Sequence, residues 1–193
     1  MQTTRDKILD VVIGYIKQNH NLSQVSLSQI AKDADIGKST IYEYFTNKES
    51  LITQTYQYLL EKYQMIILQE ITSTTFFEAI YHQLSWILDV VEDAKIIMEV
   101  IMSGQKDMRL FDFNQCNDKI KEIQNAMQLR FGMIFNMGYQ EGQIKANKKP
   151  YQENIIQALI TGLMFQYTDH QIDISRGDLI ELIIQEVISF INK

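Results

Sequence analysis

The sequence predicts an all-α protein, and three observations carry that expectation. The 193 residues include 1 proline, where average usage would give about ten. They include 8 glycines, also below the roughly 7% average. Apolar residues recur at helical rather than alternating spacing along almost the whole chain. Few breakers mean few tight turns, which argues against a β-sandwich or barrel. Hydrophobic residues make up 46% and charged residues 22%, close to a globular average, so disorder is excluded as the main state.

The first helix is expected from about Thr3 to Asn19. Ile8, Val11, Val12, Tyr15 and Ile16 recur at i, i+3, i+4, i+7 and i+8, and Thr3 with Asp6 offers a capping-box start. Ser26 is a suitable N-cap for the next helix, with Gln29 three residues on to reach back. Leu27, Ile30, Ala31 and Ala34 then form one apolar face. Asp35-Ile36-Gly37 interrupts it. A second short helix covers about Lys38 to Phe45, with Ile41, Tyr44 and Phe45 on one side. Thr46 and Glu49 suggest a further capping box, from which a long helix runs to about Ile71.

Beyond Ser73 the periodicity predicts helices at about Thr75 to Val91, Ala94 to Ser103, Phe113 to Gln140, Tyr151 to Thr168 and Arg176 to Ile191. Breaks are expected at Ser73-Thr74, Gly104, Gly142 and Lys148-Lys149-Pro150. Ser175 with Asp178 repeats the capping-box pattern. The expected organisation is a three-helix N-terminal domain, 1–48, and a larger helical domain, 49–193. The boundary falls near the start of the long helix, so the two parts share a helix rather than a flexible linker.

Composition narrows the function. The single cysteine, Cys116, cannot form an internal disulfide or a Cys-type zinc site, and a reducing cytoplasm is the expected compartment. Asp6 and Asp10 interrupt the N-terminal stretch, which lacks the pattern of a signal peptide. The longest charge-free run, about Asn154 to Thr168, is shorter than the roughly 20 apolar residues of a membrane span. The net charge is −6, which taken alone argues against nucleic acid. Residues 1–50, however, hold six cations and six anions, so the whole negative excess lies beyond them. A DNA-binding surface needs a local field, not a basic whole protein.

Two short helices joined by a three-residue turn, the second ending in aromatic residues, read as a helix-turn-helix. Ile30, Ala31 and Ala34 supply the clamping face, and the small Ala31 permits close approach. Asp35 tolerates the left-handed conformation that a sharp turn requires, and Ile36 would then point inward. Ile41 and Phe45 are buried in this reading. Lys38, Ser39, Thr40, Tyr42, Glu43 and Tyr44 are left facing out or sideways, where short polar groups can bond phosphates or base edges.

The stretch Val25 to Leu51, VSLSQIAKDADIGKSTIYEYFTNKESL, resembles the DNA-binding segment of the TetR family of transcriptional regulators. The Ile30-Ala31 pair, the Lys38-x-x-Ile41-Tyr42-x-Tyr44-Phe45 run and the Lys48-Glu49-x-Leu51 tail stand at the family's spacing. The resemblance implies a DNA operator as partner. It implies that Ser26 caps the first motif helix and touches a phosphate. Lys38, Ser39, Thr40 and Tyr42 would lie at or in the major groove, and Tyr44 would donate to the DNA backbone. Lys48 would bind phosphate with help from its helix dipole. Three residues depart from the family pattern. Asp35 stands where glycine is usual, Gly37 where serine is common, and Glu43 where a basic or neutral residue is more usual. A carboxylate among phosphates is unfavourable, so Glu43 either points away or accepts from a cytosine amino group.

In the larger domain, Phe76, Phe77, Tyr81, Trp86, Met98, Met102, Phe111, Phe113, Met127, Phe131, Phe135, Met164, Phe165 and Tyr167 are candidates for an apolar interior. Methionine and aromatic side chains also make adaptable walls for a small apolar or aromatic ligand. The family's usual cavity implies Tyr81, Trp86, Met102, Met127 and Phe131 as lining residues. Arg130 either meets an anionic ligand or lies on a solvated face. The last two helices are expected to form a homodimer. Ile155, Ile156, Leu159, Ile160, Leu163 and Met164 form a broad apolar face around Gly162, and Leu179, Leu182, Ile183, Glu186, Val187 and Phe190 follow a similar period.

The reading is a ligand-responsive repressor on an inverted-repeat operator, with the long helix as lever and with no metal or cofactor. One rival is a DNA-binding dimer controlled by a protein partner without a small-molecule inducer. A second is a helical enzyme. It finds little support, because His20, His82 and His170 are far apart in sequence and no hydrolase, P-loop or dinucleotide fingerprint occurs.

Overall fold

The computed structural model describes residues 2–18, 20–102, 113–145 and 149–193, without the side chains of 96–102 and 113–115. Among the described residues there are eight α-helices and no strand: α1 Thr4–Lys17, α2 Leu27–Asp33, α3 Lys38–Tyr44, α4 Lys48–Ile67, α5 Phe76–Met102, α6 Phe113–Gln140, α7 Gln152–Thr168 and α8 Arg176–Asn192. The predicted fold class is therefore observed. The expected helices Thr75–Val91 and Ala94–Ser103 are one continuous helix, α5. Glu92 and Asp93 are compatible with helix geometry, and no Pro or Gly breaks the run. Met98, Met102, Phe111 and Phe113 lie outside the residues whose side chains are described.

The chain packs as two compact units. The first is built on residues 2–64 with the adjoining ends of α5 and α6. The second is built on 65–93 and 124–193.

In the first unit α1 opens with the expected reciprocal cap. The Thr3 hydroxyl accepts from the Asp6 amide, and the Asp6 carboxylate accepts from the Thr3 amide. Thr3, through its side chain first and then its amide, holds the Asp6 carboxyl below the ordinary carboxylate range. Ile8, Leu9, Val12, Ile13 and Ile16 are buried. Val11 and Tyr15 sit at the rim of that face, which leaves the Tyr15 hydroxyl free to donate to Asp33 on α2. The core is completed by Leu22, Ile30, Ala31, Ala34, Ile41, Phe45, Leu51 and Ile52. One cap differs from expectation. Helix α4 is started by Asn47, whose side-chain oxygen accepts from the Ser50 amide at 2.7 Å, and not by Thr46.

In the second unit, Ile80, Leu84 and Leu88 on α5 face Ile156, Ile160 and Met164 on α7 and Leu179, Ile180, Ile183, Ile184 and Val187 on α8. The α5 and α7 sets recur every four residues and the α8 set at steps of three and four, as on a buried helix face. Phe77 and Phe165, expected inside, are exposed at 47% and 60%. The adjacent Phe76 and Met164 take the inward positions, and a helix turns neighbours about 100° apart.

Polar groups tie the ends of the helices. Arg176 donates to Asp89, to Glu92 and to the Ser85 carbonyl. Gln83 is fully buried. Its amide donates to the Ile67 carbonyl at 2.9 Å, and its carbonyl accepts from Arg130 at 3.3 Å. Arg130 also donates to the carbonyls of Leu68, at 2.9 Å, and Gln69. The half-buried guanidinium is thus turned toward carbonyls there. It satisfies the carbonyls that the end of α4 leaves over, and burial lowers its pKa.

Candidate DNA-binding surface

Helix α2 begins at Ser26, whose hydroxyl accepts from the Gln29 amide at 3.1 Å. The reciprocal half of the expected capping box is not formed. The Gln29 side chain turns along the helix to donate to Asp33 at 2.9 and 3.0 Å. Asp33 therefore accepts from both Tyr15 and Gln29, and these bonds, Tyr15 first, hold its carboxyl below the ordinary range.

The turn is closed by backbone geometry. Asp35 has φ 54°, the left-handed region. Its amide donates to Lys32, and the Ile36 amide reaches back to the Ala31 carbonyl at 3.0 Å. This is the double closure of a Schellman motif, with an aspartate at the position usually held by glycine. Ile36 is half-buried. The same pair of bonds ends α6 at Gly142 and α7 at His170. The departure at Asp35 therefore leaves the turn intact.

Helix α3 starts from Gly37, which has an extended backbone and no side-chain cap bond. A serine there would offer an oxygen to the first turn, and Gly37 offers none. Ile41 is fully buried and Phe45 is 1% exposed. The rest of α3 looks outward: Lys38, Ser39, Tyr42, Glu43 and Tyr44 are exposed, and Thr40 is half-buried. Tyr42 is 52% exposed. Ser26 is also exposed, and Lys48 is half-buried in the first turn of α4. The seven residues chosen from sequence thus belong to α3 and to the starts of the helices on either side of it.

Segment 18–55 matches the family model described as "Bacterial regulatory proteins, tetR family". This segment is a TetR-family DNA-binding domain. No curated protein matches the chain. Among solved structures, a TetR-family transcriptional regulator of Vibrio parahaemolyticus is similar at 18% identity and TM-score 0.66, over 99% of this chain and 100% of that one. The fatty acid degradation regulator FadR of Bacillus halodurans is similar at 17% identity and TM-score 0.63, over 97% and 96%. PfmR of Thermus thermophilus, another TetR-family regulator, is similar at 12% identity and TM-score 0.58, over 96% of each chain. At these identities the likeness shows a shared fold. The family match is confined to the N-terminal segment, and over the rest of the chain the likeness is one of fold.

The residues proposed to line a TetR-type ligand cavity stand in several surroundings. Tyr81 is half-buried against the second unit's core and stacks on Phe77, with ring centroids 6.4 Å apart. Trp86 is half-buried and stacks on His82, which also meets Tyr81 edge-on. The Met127 sulfur accepts from Gln83 at 3.8 Å. Phe131 packs on Phe135, at 5.8 Å. His82 therefore joins Tyr81 and Trp86, while Met127 and Phe131 meet other partners. Met102 lies outside the residues whose side chains are described. Sequence reasoning missed Asn47, Tyr15 and Gln83. Asn47 carried a usable signal, being as good a cap as Thr46. The other two act through residues distant in sequence.

Proposed function

We propose that the chain is a cytoplasmic homodimeric repressor that binds an inverted-repeat operator and is released by a small apolar or aromatic ligand in its larger part. The supporting observation is the division of α3. Its inner side is sealed by Ile41 and Phe45, so the polar outer side is the one a major groove can receive. Ser26, Lys38, Tyr44 and Lys48 would hold phosphates, and Ser39, Thr40 and Tyr42 would lie at base edges. One recognition helix binds weakly. Two, spaced about 34 Å apart on one face of the duplex, multiply the affinity.

The dimer surface in this reading is the uncovered side of α7. Leu179, Ile183 and Val187 of α8 are consumed by the unit's own core, as are Ile156, Ile160 and Met164 of α7. Ile155, Ala158 and Phe165 are exposed, Leu159 and Leu163 half-buried, and a Cβ at Gly162 would meet open space. Helix α4 has residues in both units and is the proposed lever, its last turn held by Arg130 and Gln83. A ligand coupling of ~1–3 kcal/mol would change operator occupancy about 5- to 150-fold.

Selection of bound fragments from genomic DNA, repeated with apolar and aromatic small molecules present, tests the reading. Recovery of an inverted repeat, lost on adding one ligand class, is the expected result. Failure to shift any oligonucleotide, or binding indifferent to salt, would overturn it.

A further inference from the structure

The centre of the DNA-facing side of α3 is an acid. Ile41 is fully buried and Phe45 nearly so. With about 3.6 residues per turn, Glu43 lies roughly 200° around the axis from Ile41, diametrically opposite the buried seam. Ser39, one turn earlier, shares that side, and Tyr42 and Thr40 flank it. Glu43 is exposed, like Ser39 and Tyr42. Of the two orientations left open by the sequence, pointing away is thus not available. Any approach that puts Ser39 and Tyr42 into a groove brings the Glu43 carboxylate in with them. Among the described residues no hydrogen bond or ion pair reaches that carboxylate, so it arrives at the duplex with its charge and acceptor sites unspent.

What such a group meets in the major groove is decided by the edges of the bases. Guanine presents N7 and O6, and thymine presents O4, all acceptors that repel a carboxylate. Adenine presents an N6 amino donor with the N7 acceptor beside it. Cytosine presents its N4 amino donor with no acceptor on its own groove edge. The uncompensated carboxylate therefore has one favourable partner and several costly ones. We propose that Glu43 is a specificity-determining residue that accepts a hydrogen bond from a cytosine N4 amino group, fixing one C·G pair in each operator half-site. The same charge penalises every other register by repulsion from phosphates and base acceptors, so it lowers non-specific binding as well. This inference rests on the DNA-binding reading above.

The test compares the full-length protein with Glu43→Ala, in selection from a random duplex library and then in anisotropy titrations. Alanine is a strong helix former at an exposed site, and an unchanged thermal melt confirms the fold. The wild type is expected to select C·G at one fixed position per half-site. Glu43→Ala is expected to lose the preference there and nowhere else, with discrimination falling roughly 5- to 100-fold and non-specific affinity rising. In a second arm the selected cytosine is replaced by pyrimidin-2-one, which lacks the 4-amino group. That change should weaken the wild type and leave Glu43→Ala unaffected. Binding by both proteins with the same base preferences would overturn the assignment of Glu43 alone, as would equal loss by both on removing the amino group. If neither protein binds any duplex, the DNA-binding reading fails and takes this one with it.

Discussion

The ring of Phe76 lies against the backbone of Gly138: a Cβ on Gly138 would stand 2.8 Å from Cδ2 and 2.9 Å from Cγ of that ring. The contact is locked from both sides. Phe76 is 1% exposed, and its amide donates to the Glu141 carboxylate at 2.8 Å. Gly138 is therefore required by its neighbour, not by its own backbone angles. Gly138→Ala should destabilise the protein by about 1–3 kcal/mol through overpacking, despite alanine's better helix propensity. Combined with Phe76→Leu, the loss should be less than the sum of the two single losses. Urea denaturation of the three variants reads this out.

The bond between Tyr15 and Asp33 predicts an acid dependence. Asp33 has its folded-state pKa depressed, chiefly by the Tyr15 hydroxyl and then by Gln29. A depressed carboxylate stabilises the fold above its unfolded pKa. That contribution is lost as pH falls through the folded value. Tyr15 has its pKa raised, chiefly by the bond to Asp33, so its contribution is present below the unfolded phenol value and lost as pH rises through the folded one. Wild type should exceed Tyr15→Phe in stability near pH 7, and the gap should begin to narrow near about pH 4 and close only as pH falls below the depressed folded value. A constant gap from pH 7 to pH 3 would contradict this.

Arg130 and Gln83 hold the end of α4 together. Arg130→Ala would remove the donor to three carbonyl oxygens, one of them on the buried Gln83 side chain. An unsatisfied buried acceptor costs about 1–3 kcal/mol. The loss should appear as faster amide exchange in the last turn of α4. If α4 carries the ligand signal, the variant should also show a smaller ligand effect on operator affinity.

For the DNA contacts, Lys38→Ala should weaken binding about equally across sequences and reduce the slope of log affinity against log salt by about 1. A base-specific loss would assign Lys38 to recognition instead. Because exposed lysines contribute little to stability, the thermal melt should not move.

Local rules made much of this legible in advance. The Ser26 cap, the left-handed Asp35 and the start of α3 at Lys38 each depend on residues within five positions, and each stands where sequence reasoning put it. The failures share a different character. Thr46 and Asn47 are both capping residues, Asn the stronger by type, and the pairing of Thr46 with Glu49 hid the cap that the Ser50 amide in fact meets. The periodicity leaves Glu92-Asp93 between two expected helices, yet α5 passes through it, because neither residue breaks a helix. Phe77 and Phe165 are as apolar as Phe76 and Met164, and only packing decides which of each pair turns inward.

The order of residues alone was thus enough for most of the helices, most of their ends and the exposed side of α3, because hydrogen bonding within a helix and capping at its ends are short-range. Packing between helices decided that Leu179, Ile183 and Val187 of α8 enter their own unit's core, which carbonyls Arg130 meets, and that Glu43 stays exposed. Those answers depend on which side of each helix is covered, and that coverage comes from residues tens of positions away.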